Sequence, residues 1–287
     1  MTLWQALFLA FMQGATELFP VSSLGHAVLV PRLLGWNYNQ SDPTFVPYIV
    51  LLHLGTAVAL LLVFRQDWPR LVRAFVRAVA RGSVGEDPNE KLAIMLMLGS
   101  LPAGALGVFF QTELKKLFAN PRFAAAFLLV NAAIMAAGEV LRRRAAARQA
   151  EPPAGSAEPG RPGAEARLSY GQALMIGTSQ ALALFPGISR SGTTITTGLL
   201  AGLRHESAAR FSFLLATPII FAAGALEVPT LFGAGGRLPI YLAGAVVAGA
   251  TAYVSTRFLL RYFEKGHLWP FSAYCAVLGV VGLVATR

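Results

Sequence analysis

Residues 14–26 read GATELFPVSSLGH, and in them Glu17, Ser22, Ser23 and His26 interrupt an otherwise apolar N-terminal segment. Carboxylate, hydroxyl and imidazole groups are costly in a lipid-flanked segment, which makes them functional candidates by default. The phrase returns later in the chain, where residues 18–23, LFPVSS, are echoed by residues 184–189, LFPGIS. Upstream, Gln5-Ala6-Leu7 and Gln13 are echoed by Gln172-Ala173-Leu174 and Gln180, with a one-residue slip. The doubling points to two related halves that meet at one polar centre.

The surrounding composition says what medium those halves occupy. The 287 residues are 55% hydrophobic and 13% charged, with a mean hydropathy of +0.57, too apolar for an ordinary soluble domain. Six stretches, 45–64, 92–110, 123–141, 211–227, 239–260 and 268–285, are long enough to cross a hydrocarbon core of roughly 30 Å. No segment of about ten alternating residues recurs, which argues against a transmembrane barrel. The expectation is an all-α polytopic membrane protein. Residues 1–30 lack the basic leader and small-residue cleavage site of a secretory signal, so they are expected to remain in the protein. Cys275 is the single cysteine and supplies neither a disulfide nor a metal cluster.

The net charge of +10 falls between the apolar stretches, where the positive-inside rule explains it without nucleic acid. Arg65, Arg70, Arg73, Arg77 and Arg81 follow the first span; Arg142, Arg143, Arg144, Arg148, Arg161 and Arg167 follow the third; Arg257, Arg261 and Lys265 separate the last two. Placing all three clusters in the cytoplasm gives an alternating path, with Lys115, Lys116 and Arg122 left in a short outer loop. Residues 1–144 then form a first membrane half, 145–166 a flexible cytoplasmic linker rich in Ala, Pro, Gly and Glu, and 167–287 a second half. Residues 3–35 and 168–203 are broken by Gly and Pro. Broken backbone at membrane depth requires surrounding protein or a water-filled cavity. Both are read as re-entrant helix pairs, one entering from outside and one from inside, in an inverted repeat that aims helix N-termini at an anion.

Within PGISRSGTT at 186–194, Ser189, Ser191, Thr193 and Thr194 offer hydroxyls, and Arg190 offers a fork suited to phosphate oxygens. The lysine of a Walker motif is missing, so nucleotide use has little support. In the first half, a turn at Pro20 that re-enters a helix near Ser22 places Ser23 and His26 on one face. Glu17, before the turn, could orient His26 or abstract a proton. His53, beside Gly55 in the following span, suits either a hydrogen bond at the polar centre or a satisfied structural position.

These stretches, together with ESAARFSFLLATP at 206–218, resemble the bacterial undecaprenyl-diphosphate phosphatases of the type named for bacitracin resistance, and the resemblance runs from about residue 3 to 285. It implies hydrolysis of undecaprenyl diphosphate to its monophosphate and inorganic phosphate at the outer face of the bacterial cell membrane, recycling the carrier lipid of cell-wall synthesis. It also implies an inverted-repeat fold, a homodimer, and support by magnesium or calcium. By similarity Glu17, Ser23, His26 and Arg190 occupy catalytic positions, with Glu17 also a metal ligand. Ser22, Ser189, Ser191, Thr193, Gln13 and His53 are further candidates for contact with the substrate phosphate. Three departures stand out: Gln13 replaces a usual glutamate, His53 a usual glutamine and Leu24 a common threonine. A neutral amide at 13 binds a divalent ion less strongly than a carboxylate.

On this reading Ser23 is the first choice for nucleophile, with His26 as base and Glu17 orienting it or binding metal; His26 itself, or an activated water, is a further option for the attack. Two other classes compete. One is a flippase or transporter of the undecaprenyl phosphate carrier, because broken inverted repeats are also a transporter architecture. The other is a membrane scaffold, for which the buried charges would have no purpose.

Overall fold

The computed structural model describes residues 2–36, 45–110, 120–148, 164–231 and 238–286, and among these every regular element is helical. Lys115 and Lys116 of the expected outer loop, and residues 149–163 of the expected linker, lie outside them. In chain order the helices are α1 (Leu3–Thr16), α2 (Ser23–Leu33), α3 (Phe45–Val63), α4 (Asp67–Arg81), α5 (Pro88–Phe109) and α6 (Pro121–Arg148). The second half supplies α7 (Tyr170–Ser179), α8 (Arg190–Leu200), α9 (His205–Leu231), α10 (Leu238–Phe263) and α11 (Trp269–Ala285).

Four of them contain stretches long and apolar enough to cross a membrane: Pro88–Phe109, Pro121–Ala145, His205–Ala225 and Leu238–Phe263. A fifth span is reached if α3 and α4 are counted together, but they are bent by 91° at their junction. The bend has a cause in the pattern. In α4, Arg70, Arg73, Arg77 and Arg81 recur every three or four residues, while Leu71, Ala74 and Ala78 are buried. That face pattern suits a helix lying along an interface, with the apolar face inward. Residues 268–285 form a helix, but α11 has 17 residues, short of the roughly 20 of a full crossing. Helix length thus supports four to five spans where the sequence suggested six.

The two broken segments share their local chemistry. Thr2 caps α1 and Ser169 caps α7, each in a reciprocal box with the glutamine three residues on, Gln5 or Gln172. Ser22 caps α2 by accepting from the Gly25 N–H, and Ser189 caps α8 by accepting from the Gly192 N–H. Both second helices end on a glycine at positive φ, Gly35 and Gly202, with the next N–H reaching back to Pro31 or Gly198. All these pairs are 167 positions apart, whereas the two Leu-Phe-Pro phrases are 166 apart. The visible phrase is therefore one residue out of step with the structural repeat, and Ser189 matches Ser22 while Arg190 matches Ser23. The second segment takes up the extra residue after its proline at Gly187, whose φ of 106° suits glycine alone.

Packing exchanges helices between the halves: α1 lies on α10, α7 on α5, and α3 on α9. Glycine makes the close approaches possible. A Cβ on Gly14 would collide with the Ala248 carbonyl oxygen, and one on Gly177 with the backbone of Gly99. Between the halves stands Asn131 of α6, fully buried. Its Nδ2 donates to the Pro20 carbonyl at 3.1 Å, and its Oδ1 accepts from the Ser189 N–H at 3.0 Å. Ser191 adds a bond to the Phe19 carbonyl at 3.0 Å.

Asn131→Leu keeps the branched shape but leaves the Ser189 N–H and one lone pair of the Pro20 carbonyl without their partner; an unmet buried group costs about 1–3 kcal/mol. The expected outcome is a clearly lower thermal midpoint for the purified variant in detergent. A midpoint equal to that of the wild type would show that the two turns are held by something else.

Candidate active site

α1 ends at Thr16, and Glu17 follows as its C-cap, pointing into the gap between the two turns. The carboxylate is buried and fully engaged. Its Oε2 accepts from Ser23 Oγ at 2.5 Å and Gln13 Nε2 at 2.8 Å, with His53 Nε2 at 3.1 Å. Its Oε1 accepts from Arg190 Nη2 at 2.9 Å. Gln13 lies one helical turn before Glu17, Ser23 opens α2, His53 comes from α3 and Arg190 opens α8. Both halves thus converge on one carboxylate. Removing one partner of such a buried pair leaves an uncompensated charge at a cost of about 3–5 kcal/mol, against about 0–1 kcal/mol for an exposed pair. Arg77 and Asp87, at 2.5 Å near the surface, are a pair of the second kind.

His53 Nδ1 lies 2.8 Å from the Ile49 carbonyl and Nε2 faces the carboxylate. The Ile49 carbonyl and an ionised Glu17 can only accept, so an ionised Glu17 is paired with His53 as an imidazolium. In that state, with Arg190, the centre holds two positive charges around one negative. Arg190 Nη1 is buried and has no hydrogen-bond partner, as is Gln13 Oε1.

A cavity of about 280 Å³ opens beside this cluster. Glu17, Ser22, Ser23, His53, Gln180, Ser189 and Arg190 supply its polar wall, and the rest is apolar. Leu24 and Ala183 also line it. By the 167-residue register Gln180 is the counterpart of Gln13, and its Oε1 too is buried without a partner.

The structure brings Glu17, Ser22, Ser23, His53, Gln13, Ser189 and Arg190 together and sends others elsewhere. Ser191 is bonded to the Phe19 carbonyl, and Thr193 donates to the Arg190 carbonyl at 3.0 Å; neither lines the cavity. His26 does share α2 with Ser23, but its ring meets neither Ser23 nor Glu17. Nδ1 is 2.7 Å from the Ser22 carbonyl and Nε2 is 2.7 Å from the Tyr274 hydroxyl. The hydroxyl of Ser23 is paired with Glu17, so the base in contact with it is the carboxylate and not the imidazole. Asn131 and Tyr274 were invisible to motif reading, since Asn131 stands alone in the apolar run 123–138 and Tyr274 belongs to no recurring phrase. Ser22 is the only non-glycine described residue at positive φ, 65°, a conformation that costs on the order of 1–3 kcal/mol and recurs at functional sites.

The expected divalent ion can be tested against the donors present. Among the described residues no group of three or more His, Cys, Asp and Glu side chains is placed to hold a metal. Glu17 is the lone carboxylate of the cluster, its two oxygens already serve four donors, and Arg190 and His53 bring positive charge to its side. This donor set does not fit a resident divalent cation.

The apolar helices mark a multi-pass membrane protein, and a hydroxyl on a buried carboxylate beside an arginine with a spare donor is an arrangement able to take an anion. The chain belongs to the family of bacitracin resistance protein BacA, whose model matches residues 6–281. Undecaprenyl-diphosphatase 2 of Chromobacterium violaceum is 44% identical to it, across 98% of this chain and 97% of the relative. The undecaprenyl-diphosphatase of Acidiphilium cryptum is 45% identical across 97% and 96%, and that of Mycobacterium avium 44% identical across 98% and 96%.

Gln13→Glu removes a donor from Glu17 and sets a second carboxylate beside it, the pairing that attracts a hard cation. Direct titration with Mn²⁺ without substrate, followed by electron paramagnetic resonance, is expected to show binding by the variant at least about tenfold tighter than by the wild type. Equal binding by the two proteins would show that position 13 does not control the ion.

Proposed function

We propose that this chain hydrolyses undecaprenyl diphosphate to undecaprenyl phosphate and inorganic phosphate at the Glu17–Arg190 centre, recycling the carrier lipid of cell-wall synthesis. The observation that carries the reading is the spare capacity of Arg190. Its Nη2 holds Glu17 while Nη1 is buried without a hydrogen-bond partner, and an ionised Glu17 with a protonated His53 leaves the centre one net positive charge. A phosphate oxygen meets both needs, and arginine is the side chain best shaped to do so. The cavity, about 280 Å³, is at the small end of ligand pockets. It suits a diphosphate head and leaves a C55 tail to the bilayer.

The chemistry follows from the contacts. Ser23 Oγ attacks the terminal phosphorus, its proton passes to Glu17, and the bond to the bridging oxygen breaks, releasing undecaprenyl phosphate. Arg190 and His53 stabilise the charge that develops on the phosphoryl oxygens. Water then attacks the phosphorus of the phosphoserine, inorganic phosphate leaves carrying both protons of that water, and the serine oxygen recovers its proton from Glu17. An ion that supports activity would be carried by the phosphates of the substrate, since no group of three or more His, Cys, Asp and Glu side chains among the described residues is placed to seat it.

The membrane arrangement belongs to the same proposal: six crossings, two re-entrant pairs in an inverted repeat, a bacterial cell-membrane location and an active centre open to the outer face. The matched caps and the exchange of packing partners support the repeat, and the basic clusters support the orientation. Association of two copies rests on the family resemblance alone. A flippase reading predicts transport without hydrolysis.

Purified protein in detergent, where no vectorial movement is scored, is expected to release phosphate from undecaprenyl diphosphate. Arg190→Ala should lower turnover by at least about 100-fold, the scale of losing a transition-state donor. Arg190→Lys should fall between, keeping charge without the fork. No release by the wild type would overturn the hydrolase reading, and near-normal turnover by folded Arg190→Ala would remove Arg190 from the site.

A further inference from the structure

His26 sits one turn along α2 from Ser23, yet its ring turns away from the cavity toward α11. It is buried, at 3% exposure, and both ring nitrogens are occupied. The Ser22 carbonyl can only accept, so Nδ1 carries the proton. In the neutral ring Nε2 is then the acceptor, and the Tyr274 hydroxyl donates to it. The two rings lie nearly parallel, at 3° with centroids 5.6 Å apart. Tyr274 comes from a helix whose outer face is open, and its hydroxyl reaches inward to this one partner.

What the imidazole grips is the residue at positive φ. Ser22 gives its carbonyl to His26 twice, through the ring and through the backbone N–H at 3.2 Å, and its hydroxyl caps Gly25. Ser23 is the next residue, so the turn at Ser22 decides where the Ser23 hydroxyl points. A turn in a sparsely populated conformation persists only if its surroundings over-determine it. We propose that Tyr274 is a positioning residue: it fixes the tautomer and plane of His26, which pins the Ser22 turn and so aims Ser23 at Glu17. His26 is then a strut, not the base, and Tyr274 is its outer support. The proposal rests on Ser23 and Glu17 acting as described above.

Asparagine separates a strut from a base, because its amide nitrogen can take the place of Nδ1 and donate to Ser22 while nothing replaces Nε2. Full-length protein in detergent is assayed on undecaprenyl diphosphate as the wild type, Tyr274→Phe, His26→Ala, His26→Asn and the double variant His26→Asn/Tyr274→Phe. Misplacement of a reacting group costs up to about 100-fold, which sets the expected loss for His26→Ala. His26→Asn is expected to recover to within about tenfold of the wild type. Tyr274→Phe should lower kcat about five- to tenfold with KM within about twofold, the scale of one hydrogen bond, and should add nothing in the His26→Asn background. ¹⁵N resonances of the histidines supply a readout independent of turnover: His26 should show a proton on Nδ1, and its Nε2 signal should move in Tyr274→Phe. The proposal is overturned if His26→Asn is as inactive as His26→Ala, if Tyr274→Phe matches the wild type, or if the Nε2 signal does not move. Should the wild type release no phosphate, the hydrolase reading fails, and the Nε2 signal still decides whether Tyr274 holds His26.

Discussion

One buried carboxylate sets the terms for this structure. Glu17 lies in an apolar setting, where an unpaired charge is far too costly to keep. It is held by donors from both halves: Gln13, Ser23 and His53 from the first, and Arg190 from the second. That requirement brings the two helix breaks together, since Arg190, the first residue of α8, reaches Glu17 only if the preceding turn comes close to it. Asn131, Ser189 and Ser191 secure the same meeting through the carbonyls freed at Phe19 and Pro20. Broken backbone, which lipid would not tolerate, becomes the joint between the halves.

The two matched segments share their caps but differ at the centre. The repeated caps show what the two segments share, and the cavity wall shows what they do not. Ser23 matches Arg190 in the 167-residue register, so under the proposed mechanism corresponding helix starts take opposite tasks, attack and charge stabilisation. Gln13 and Gln180 keep the same residue and a spare carbonyl each, yet one supports Glu17 and the other the Gly99 carbonyl. Each half alone would hold an incomplete site.

Much of this could be read in the chain itself. The polar cluster at 17–26, the arginine at 190 and the helix breaks at Pro20 and Gly187 are written in residues whose presence in an apolar segment demands a reason. Partner choice was harder. Periodicity places His26 on the same helix as Ser23, but which neighbour it meets depends on α11, and a single Tyr274 in an apolar helix carries no signal. The register of the repeat was also misleading, because Leu-Phe-Pro is easier to see than the capping residues that govern the fold. The 91° bend after α3 escaped span-counting because hydropathy measures length and not direction.

The central claim is that Glu17 prepares Ser23 to attack the terminal phosphorus. Rapid acid quench of the enzyme with undecaprenyl diphosphate labelled in its terminal phosphate, followed by peptide mapping, tests it most directly. The account predicts transient label on Ser23, absent from a Glu17→Gln variant. Label on His26, or turnover with no labelled protein at any quench time, would contradict it.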